Sequence, residues 1–242
     1  MRSAIVLPSY NEKENIVGLI CTIIDLDKNF TVIVVDDNSP DKTYEEVSNF
    51  KNNLTDEDSD RVQVIKRQKK DGRGGAVWEG MRMAYESGHA FENFIEMDCD
   101  FSHDPCYIKN GIKLLQEGNN LVLGSRYPDG EIINWTIKRR IISFFANILA
   151  RVLIDWRIHD FTNGFRFYNR ELIKYLLTQE MKHSGYINLT ETISMTLKVK
   201  KSIASFPIIF KNRKLGKSNT DINELFNSFL GIFSIAWRHR FK

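Results

Sequence analysis

Over its first 125 residues the chain alternates short apolar runs with stretches of helical period, and few architectures besides a parallel sheet covered by helices bury such runs. The run at 31–36 shows the constraint most plainly. Val32, Ile33, Val34 and Val35 follow one another without a polar break, as in a strand buried on both faces. Similar runs predict strands at 3–7, 61–66, 93–98 and 120–124. Helices are predicted over 12–26, 42–50, 74–87 and 107–117, and the acidic stretch 52–60 reads as an exposed loop. Beyond Pro128 helical patterns dominate, with one further strand at 202–210. No linker or internal repeat interrupts the chain. Residues 1–242 therefore read as one α/β domain, with a Rossmann-like, mostly parallel sheet from 1–128 and a helix-rich half from 129–242.

In an open parallel sheet, ligands bind outside the carboxyl ends of the strands. Those ends are chemically loaded here. They read Pro8-Ser9-Tyr10-Asn11-Glu12, then Asp36-Asp37-Asn38-Ser39-Pro40-Asp41, then Lys70-Asp71-Gly72-Arg73-Gly74-Gly75, then Asp98-Cys99-Asp100, then Gly124-Ser125-Arg126-Tyr127. One polar turn means little, but a whole sheet edge of them marks a site. Asp98 and Asp100 are the sharpest pair. Positions i and i+2 of an extended chain face the same side, and two carboxylates so placed repel unless a cation joins them. Mg²⁺ or Mn²⁺, which prefers oxygen ligands and shares them with phosphates, suits such a pair. Asp36, Ser39 and Asp41 suit helix capping, while Asp37 is also placed to accept hydrogen bonds from a base or ribose. The glycine turn at 72–75 has the composition of a phosphate cradle without a full motif, and is equally a flexible turn. His103 has no second His or Cys at ligand spacing and reads as structural, and Cys99 as packing.

Composition narrows the partners. Lys plus Arg is 34 and Asp plus Glu 31, a net charge of +3 that calls for no nucleic acid. Three cysteines cannot close a disulfide set, which points to a reducing, cytoplasmic compartment. Pro8, Asn11 and Glu12 break any signal-peptide run. The most apolar stretches, 141–154 and 225–237, fall short of the ~18–20 residues that span a bilayer. In the first of them Arg139, Ser143, Asn147 and Arg151 recur every four residues among apolar neighbours, a narrow polar stripe on a hydrophobic cylinder. Such a helix is either buried or lies in a membrane interface. The second carries Phe226, Phe229, Leu230, Phe233 and Trp237 on one side and a basic end at Arg238, His239, Arg240 and Lys242. That suits an anionic membrane surface or a small membrane-anchoring partner subunit.

The segments LPSYNEKEN (7–15), VVDDNSPD (34–41), DCDFSHDP (98–105), GSRY (124–127), KRRIISFFAN (138–147), DFTNGFRFY (160–168), 185–191 and 206–218 together resemble family-2 glycosyltransferases of GT-A fold, above all the dolichol-phosphate mannosyltransferases. The resemblance implies transfer of mannose from GDP-mannose to dolichyl or another polyprenyl phosphate, by an enzyme held peripherally on the cytosolic face of a membrane. It puts Pro8, Tyr10, Glu12, Val35, Asp37 and Cys99 around the nucleotide. Asp98 and Asp100 fall on the metal and diphosphate, and Arg126 and Arg213 near the phosphates. Arg139 and Ser143, with Arg126 and Arg213, fall on the lipid phosphate. Asp100 and Arg126 would carry catalysis. Residues 129–242 become the acceptor-side, membrane-facing half. The sequence departs from the family pattern at Asn163, at 187–190 and at Asn219, where a lysine is usual and Lys214 or Lys217 stands nearby. Two other readings stay open: a family-2 enzyme using another nucleotide sugar such as UDP-glucose, and a non-catalytic nucleotide-binding subunit.

Overall fold

The computed structural model describes the backbone of residues 1–213 and 222–241, and the side chains of 1–213 and 230–240. Strands β1 (Ser3–Ser9), β2 (Phe30–Asp36), β3 (Val62–Lys66), β4 (Asn93–Glu96) and β5 (Leu121–Ser125) alternate with helices α1 (Lys13–Leu26), α2 (Thr43–Asn52), α3 (Asp56–Asp60), α4 (Arg73–Glu86) and α5 (Ile108–Gln116). Then come β6 (Glu131–Ile133), α6 (Ile137–Leu153), β7 (Arg166–Asn169), α7 (Arg170–Leu176), α8 (Asn188–Lys198), β8 (Ile203–Pro207), β9 (Ile209–Lys211) and α9 (Ile222–Phe241).

The strands form a seven-stranded sheet in the order β3-β2-β1-β4-β7-β5-β8, and β6 pairs with β9 in a small parallel ribbon. Within the large sheet β7 alone runs antiparallel, between β4 and β5. The mostly parallel α/β architecture read from the sequence is therefore present, and strands of the second half complete the sheet of the first.

Side chains on alternate strand positions divide the core. Ala4, Val6, Ile33 and Val35 pack with α4, α7 and α8, whereas Ile5, Leu7, Val32 and Val34 pack with α1 and α5. Both faces are covered, which explains why β2 is apolar without alternation. Four elements depart from the sequence reading, the short strand β6 among them. The acidic stretch contains α3, because Thr55 Oγ1 caps the Asp58 amide and three acids sit in the first turn, where the helix dipole favours them. The strand predicted at 202–210 is broken into β8 and β9, which belong to different sheets. β7 was not anticipated, since four residues beginning with an arginine carry no strand period.

The insertion of β7 depends on close packing. Gly111 of α5 lies directly over the Phe167 ring, where any added Cβ would collide with the ring carbons. Gly111→Ala is expected to lower stability by about 1–3 kcal/mol through overpacking, read as a lower urea midpoint with an unchanged slope.

Candidate active site

The carboxyl ends of β1, β2, β4 and β5 meet above the sheet, and two pockets open there. Pro8, Tyr10, Glu12, Asp37, Cys99 and Arg73 line one, and Arg126, Trp135, Arg139, Ser143, Asn163 and Phe210 line the other. Asp98, Asp100, Tyr186 and Arg213 belong to both, so the two pockets share one wall. The residues predicted for a nucleotide and those predicted for a lipid phosphate thus fall largely into separate, adjoining spaces. Arg126 lines only the second. Val35 lines neither, because its side chain is fully buried against α4. Lys214, Lys217 and Asn219 lie outside the described residues.

Each carboxylate of the shared wall is held by an arginine. Asp98 accepts from Arg73 Nε at 2.8 Å, and Arg73 also reaches Glu96 at 3.4 Å and the Gly164 carbonyl at 3.2 Å. Asp100 accepts from Arg213 Nη2 at 2.8 Å and from the Ser102 amide at 3.0 Å. Arg213 continues to Glu12 at 3.0 Å. Burial alone would raise the pKa of Asp98, but Arg73 holds it down at about 2. Burial pushes Glu12 up to about 6, against the Asn15 hydrogen bond and Arg213. Asp98 is therefore an anion at every working pH, and Glu12 takes up a proton only slightly below neutrality.

The oxygens of Asp98 and Asp100 suit a hard divalent cation. Among the described residues no cluster of three or more His, Cys, Asp or Glu side chains would hold an ion unaided. A pair of carboxylates that leaves the remaining positions to water and substrate phosphate is the arrangement Mg²⁺ and Mn²⁺ accept. His103 is not part of it. Its Nδ1 accepts the Asp98 amide hydrogen at 3.0 Å, which fixes the proton on Nε2, and Nε2 donates to Asn163 Oδ1 at 2.9 Å. Asn163 Nδ2 then donates to the Gly124 carbonyl at 2.6 Å, tying the Asp98 turn to the end of β5. The structural reading of His103 holds, and the larger side chain at 163 is what spans the gap.

Other contacts change the meaning of the sequence signals. Asp37 accepts from Arg67 at 2.6 Å and from the Gly72 amide at 3.0 Å, so it braces the glycine turn while lining the pocket. The Gly74 amide donates to the Ser184 carbonyl at 2.6 Å, and a backbone this close leaves the turn no open phosphate cradle. Gly72 takes φ +85°, which favours glycine. Cys99 is buried as predicted and donates to the Pro8 carbonyl at 3.1 Å. Arg126 is gripped by Asp160, which accepts from its Nε at 2.9 Å and its Nη2 at 2.8 Å. Ser143 Oγ accepts from the Tyr127 hydroxyl at 3.3 Å, and Arg139 meets Asn212 Oδ1 at 3.3 Å. Sequence reasoning missed Arg73, Asp160, Trp135 and Tyr186 as site residues. Only the charges of Arg73 and Asp160, set beside glycine or in a polar cluster, offered a signal.

Residues 4–177 match the model of the family described as Glycosyl transferase family 2. The chain is 32% identical over 218 residues to the polyprenol monophosphomannose synthase of Mycolicibacterium smegmatis, covering 90% of this chain and 80% of that one. It is 32% identical over 219 residues to the undecaprenyl-phosphate mannosyltransferase of Micrococcus luteus, covering 90% and 87%. Among solved structures, glucosyl-3-phosphoglycerate synthase from Mycobacterium tuberculosis with phosphoglyceric acid superposes with a TM-score of 0.68 at 18% identity, over 98% of this chain and 79% of that one. Its complex with Mn²⁺, UDP-glucose and phosphoglyceric acid gives a TM-score of 0.69 at 18% identity, again over 98% and 79%. These superpositions establish the fold.

The Arg126–Asp160 pair makes a stability prediction. Burial opposes ionisation of Asp160, but Arg126 outweighs it and lowers the pKa. A carboxyl depressed in the folded state stabilises above its unfolded pKa, about 3.9, and loses that contribution as pH falls through the folded value. Asp160→Ala is expected to cost about 3–5 kcal/mol at pH 7, because it strands a buried guanidinium. Asp160→Asn should flatten the fall of stability below about pH 4, both read from urea midpoints against pH.

Proposed function

The chain belongs to glycosyl transferase family 2, and from that premise we propose that it transfers mannose from GDP-mannose to a polyprenyl phosphate such as dolichyl phosphate, giving the β-mannosyl phosphate. The observation that carries the reading is the second pocket. It gathers Arg126, Arg139 and Arg213 at a space that also has an apolar wall, made by Ile142, Ala146, Ile187 and Ile232. Arg139 has no carboxylate partner among the described residues, and burial together with Arg126 and Arg213 lowers its pKa. Clustered guanidinia beside an apolar wall suit a phosphate on a hydrocarbon chain.

The chain's own residues account for the steps. The pocket of Pro8, Tyr10, Glu12 and Asp37 receives the nucleotide, and the shared wall receives its diphosphate. The acceptor phosphate, held by Arg126, Arg139 and Ser143, is already an anion near neutral pH and needs no base to take a proton from it. Attack from the second pocket forms the bond from phosphate oxygen to the anomeric carbon as the bond to the diphosphate breaks on the opposite side, which inverts the configuration. Negative charge then grows on the departing nucleotide beside Arg213. Asp98 and Asp100 are the residues that would hold a divalent cation, which would supply Lewis-acid stabilisation of that charge.

The acceptor's tail calls for a membrane. Within α6, Ile137, Phe145 and Val152 are 77%, 57% and 68% exposed, while Ser143 and Ala146 on the other side line the pocket. Leu230, Phe233 and Trp237 of α9 and Trp156 extend the exposed apolar surface. The side chains of Phe226 and Phe229 lie outside those described. Among the described residues no helix is long and apolar enough to cross a membrane. The interfacial reading of α6 is the one this exposure favours, with the enzyme lying peripherally on the cytosolic face, directly or through a small partner subunit.

The test is transfer of labelled mannose from GDP-mannose to a polyprenyl phosphate with Mg²⁺ or Mn²⁺, against EDTA and against UDP-sugars. Metal-dependent label from GDP-mannose alone supports the proposal, and label from a UDP-sugar alone moves the donor. Asp100→Ala is expected to lower turnover at least ~100-fold, and near-normal turnover in the folded variant would sink the metal assignment. Replacing Phe144 and Phe145 together by serine should reduce sedimentation with anionic vesicles several-fold while leaving nucleotide affinity unchanged. Unchanged vesicle binding would remove α6 from the membrane face.

A further inference from the structure

Trp135 stands between β6 and α6 and has no task in the mechanism above. Its ring lies against two cations, with the Arg139 guanidinium 4.0 Å and the Arg126 guanidinium 5.2 Å from the ring centroid. Phe210 meets it edge-on, centroids 5.4 Å apart and planes at 75°. The indole N–H is closed off from solvent and has no hydrogen-bond partner among the described residues. A buried donor without an acceptor costs free energy, and a phenylalanine or leucine would fill the space without that cost. What tryptophan adds is the ring face that attracts cations most strongly.

The two arginines need such a surface. They are like charges in a partly dry pocket, and only Arg126 is fixed by a carboxylate, through Asp160. Arg139 has the neutral Asn212 Oδ1 at 3.3 Å and the Trp135 ring. The next residue, Thr136, caps α6 by accepting the Arg139 amide hydrogen, so the segment that sets the ring also sets the start of the helix that carries Arg139. We propose that Trp135 is a positioning residue whose ring holds the Arg126 and Arg139 guanidinia at the spacing that receives the acceptor's phosphate monoester. The inference rests on the second pocket being the acceptor site and is independent of which sugar nucleotide is the donor.

The experiment uses the full chain with Trp135→Phe and Trp135→Leu. Binding of hexyl phosphate and of inorganic phosphate is followed by ³¹P NMR, and binding of GDP with Mn²⁺ separately by calorimetry. The expected order of phosphate affinity is Trp tightest, Phe intermediate and Leu weakest, with the Leu variant down about 3- to 30-fold, the span of one cation–π contact. Nucleotide affinity stays constant, the acceptor KM rises more than kcat falls, and the Phe variant keeps its thermal midpoint. Wild-type phosphate affinity in both variants overturns the proposal and leaves the acceptor site standing. So do equal losses of phosphate and nucleotide affinity, which mark a general structural role. If the wild-type protein binds neither phosphate, the acceptor site itself falls, and the proposal with it.

Discussion

A chain of alternating charges, Asp98–Arg73–Glu96–Arg166, runs from the part-exposed Asp98 into the core and ties the structure together at the sheet edge. Arg73 enters from the first turn of α4, Glu96 from β4 and Arg166 from β7, and Arg166 is fully buried. Taking Glu96 and Arg166 out of water costs several kcal/mol each, so these two are tolerable only while their partners are in place. The chain is closed by further bonds. Glu96 accepts the Tyr168 hydroxyl at 2.9 Å, and Arg166 donates to the carbonyls of Phe161, Asn163 and Leu189. The segment between α6 and β7 is therefore fixed relative to β4. Asp98, at the open end of the chain, inherits that rigidity.

From this fixed carboxylate the two pockets acquire their relation. Asp98 and Asp100 stand at the shared wall with Arg213, which bridges Asp100 and Glu12. Each acid there already has a guanidinium, so on the proposed function a cation or diphosphate would exchange partners with these pairs rather than fill a void. On the far side His103 and Asn163 carry the same frame to Gly124, two residues before Arg126. The wall shared by the two pockets and Arg126 in the second are thus set by one continuous polar network, and under the proposed function that network would keep two bound substrates on a common axis.

Much of this was legible in the sequence because it is local. β1 to β5 announce themselves as apolar runs, and each functional cluster follows its strand directly, so knowing the topology placed Pro8, Glu12, Asp37, Asp98, Asp100 and Arg126 at one edge. What stayed hidden depends on pairs far apart in the chain. Arg73 and Asp98 are separated by 25 residues and Arg126 and Asp160 by 34, and no periodicity links them. The four residues of β7 are too few for an alternating pattern to show. The glycine turn, open in sequence between a phosphate cradle and a flexible turn, was decided only by a distant partner. Its composition suits a phosphate cradle, but the carbonyl of Ser184 takes the Gly74 amide hydrogen, and nothing near 72–75 in sequence foretells that.

α6 shows how one helix period serves two solvents. Ser143 and Asn147 recur at four-residue spacing, and Asn147 accepts the Phe161 amide hydrogen at 2.7 Å while donating to the Ser143 carbonyl at 2.9 Å. This side is stitched to the loop that bears Asp160. Ile141, Phe144, Phe145 and Ile148 occupy the opposite arc and are exposed. The helix cannot rotate to bury them without breaking the Asn147 bond and withdrawing Ser143 from the pocket. Its apolar arc is consequently held outward by the same side of the helix that lines the second pocket. A polyprenyl phosphate bound as proposed, its head at Arg139 and its tail in hydrocarbon, would meet both requirements across the width of one helix, about 10 Å.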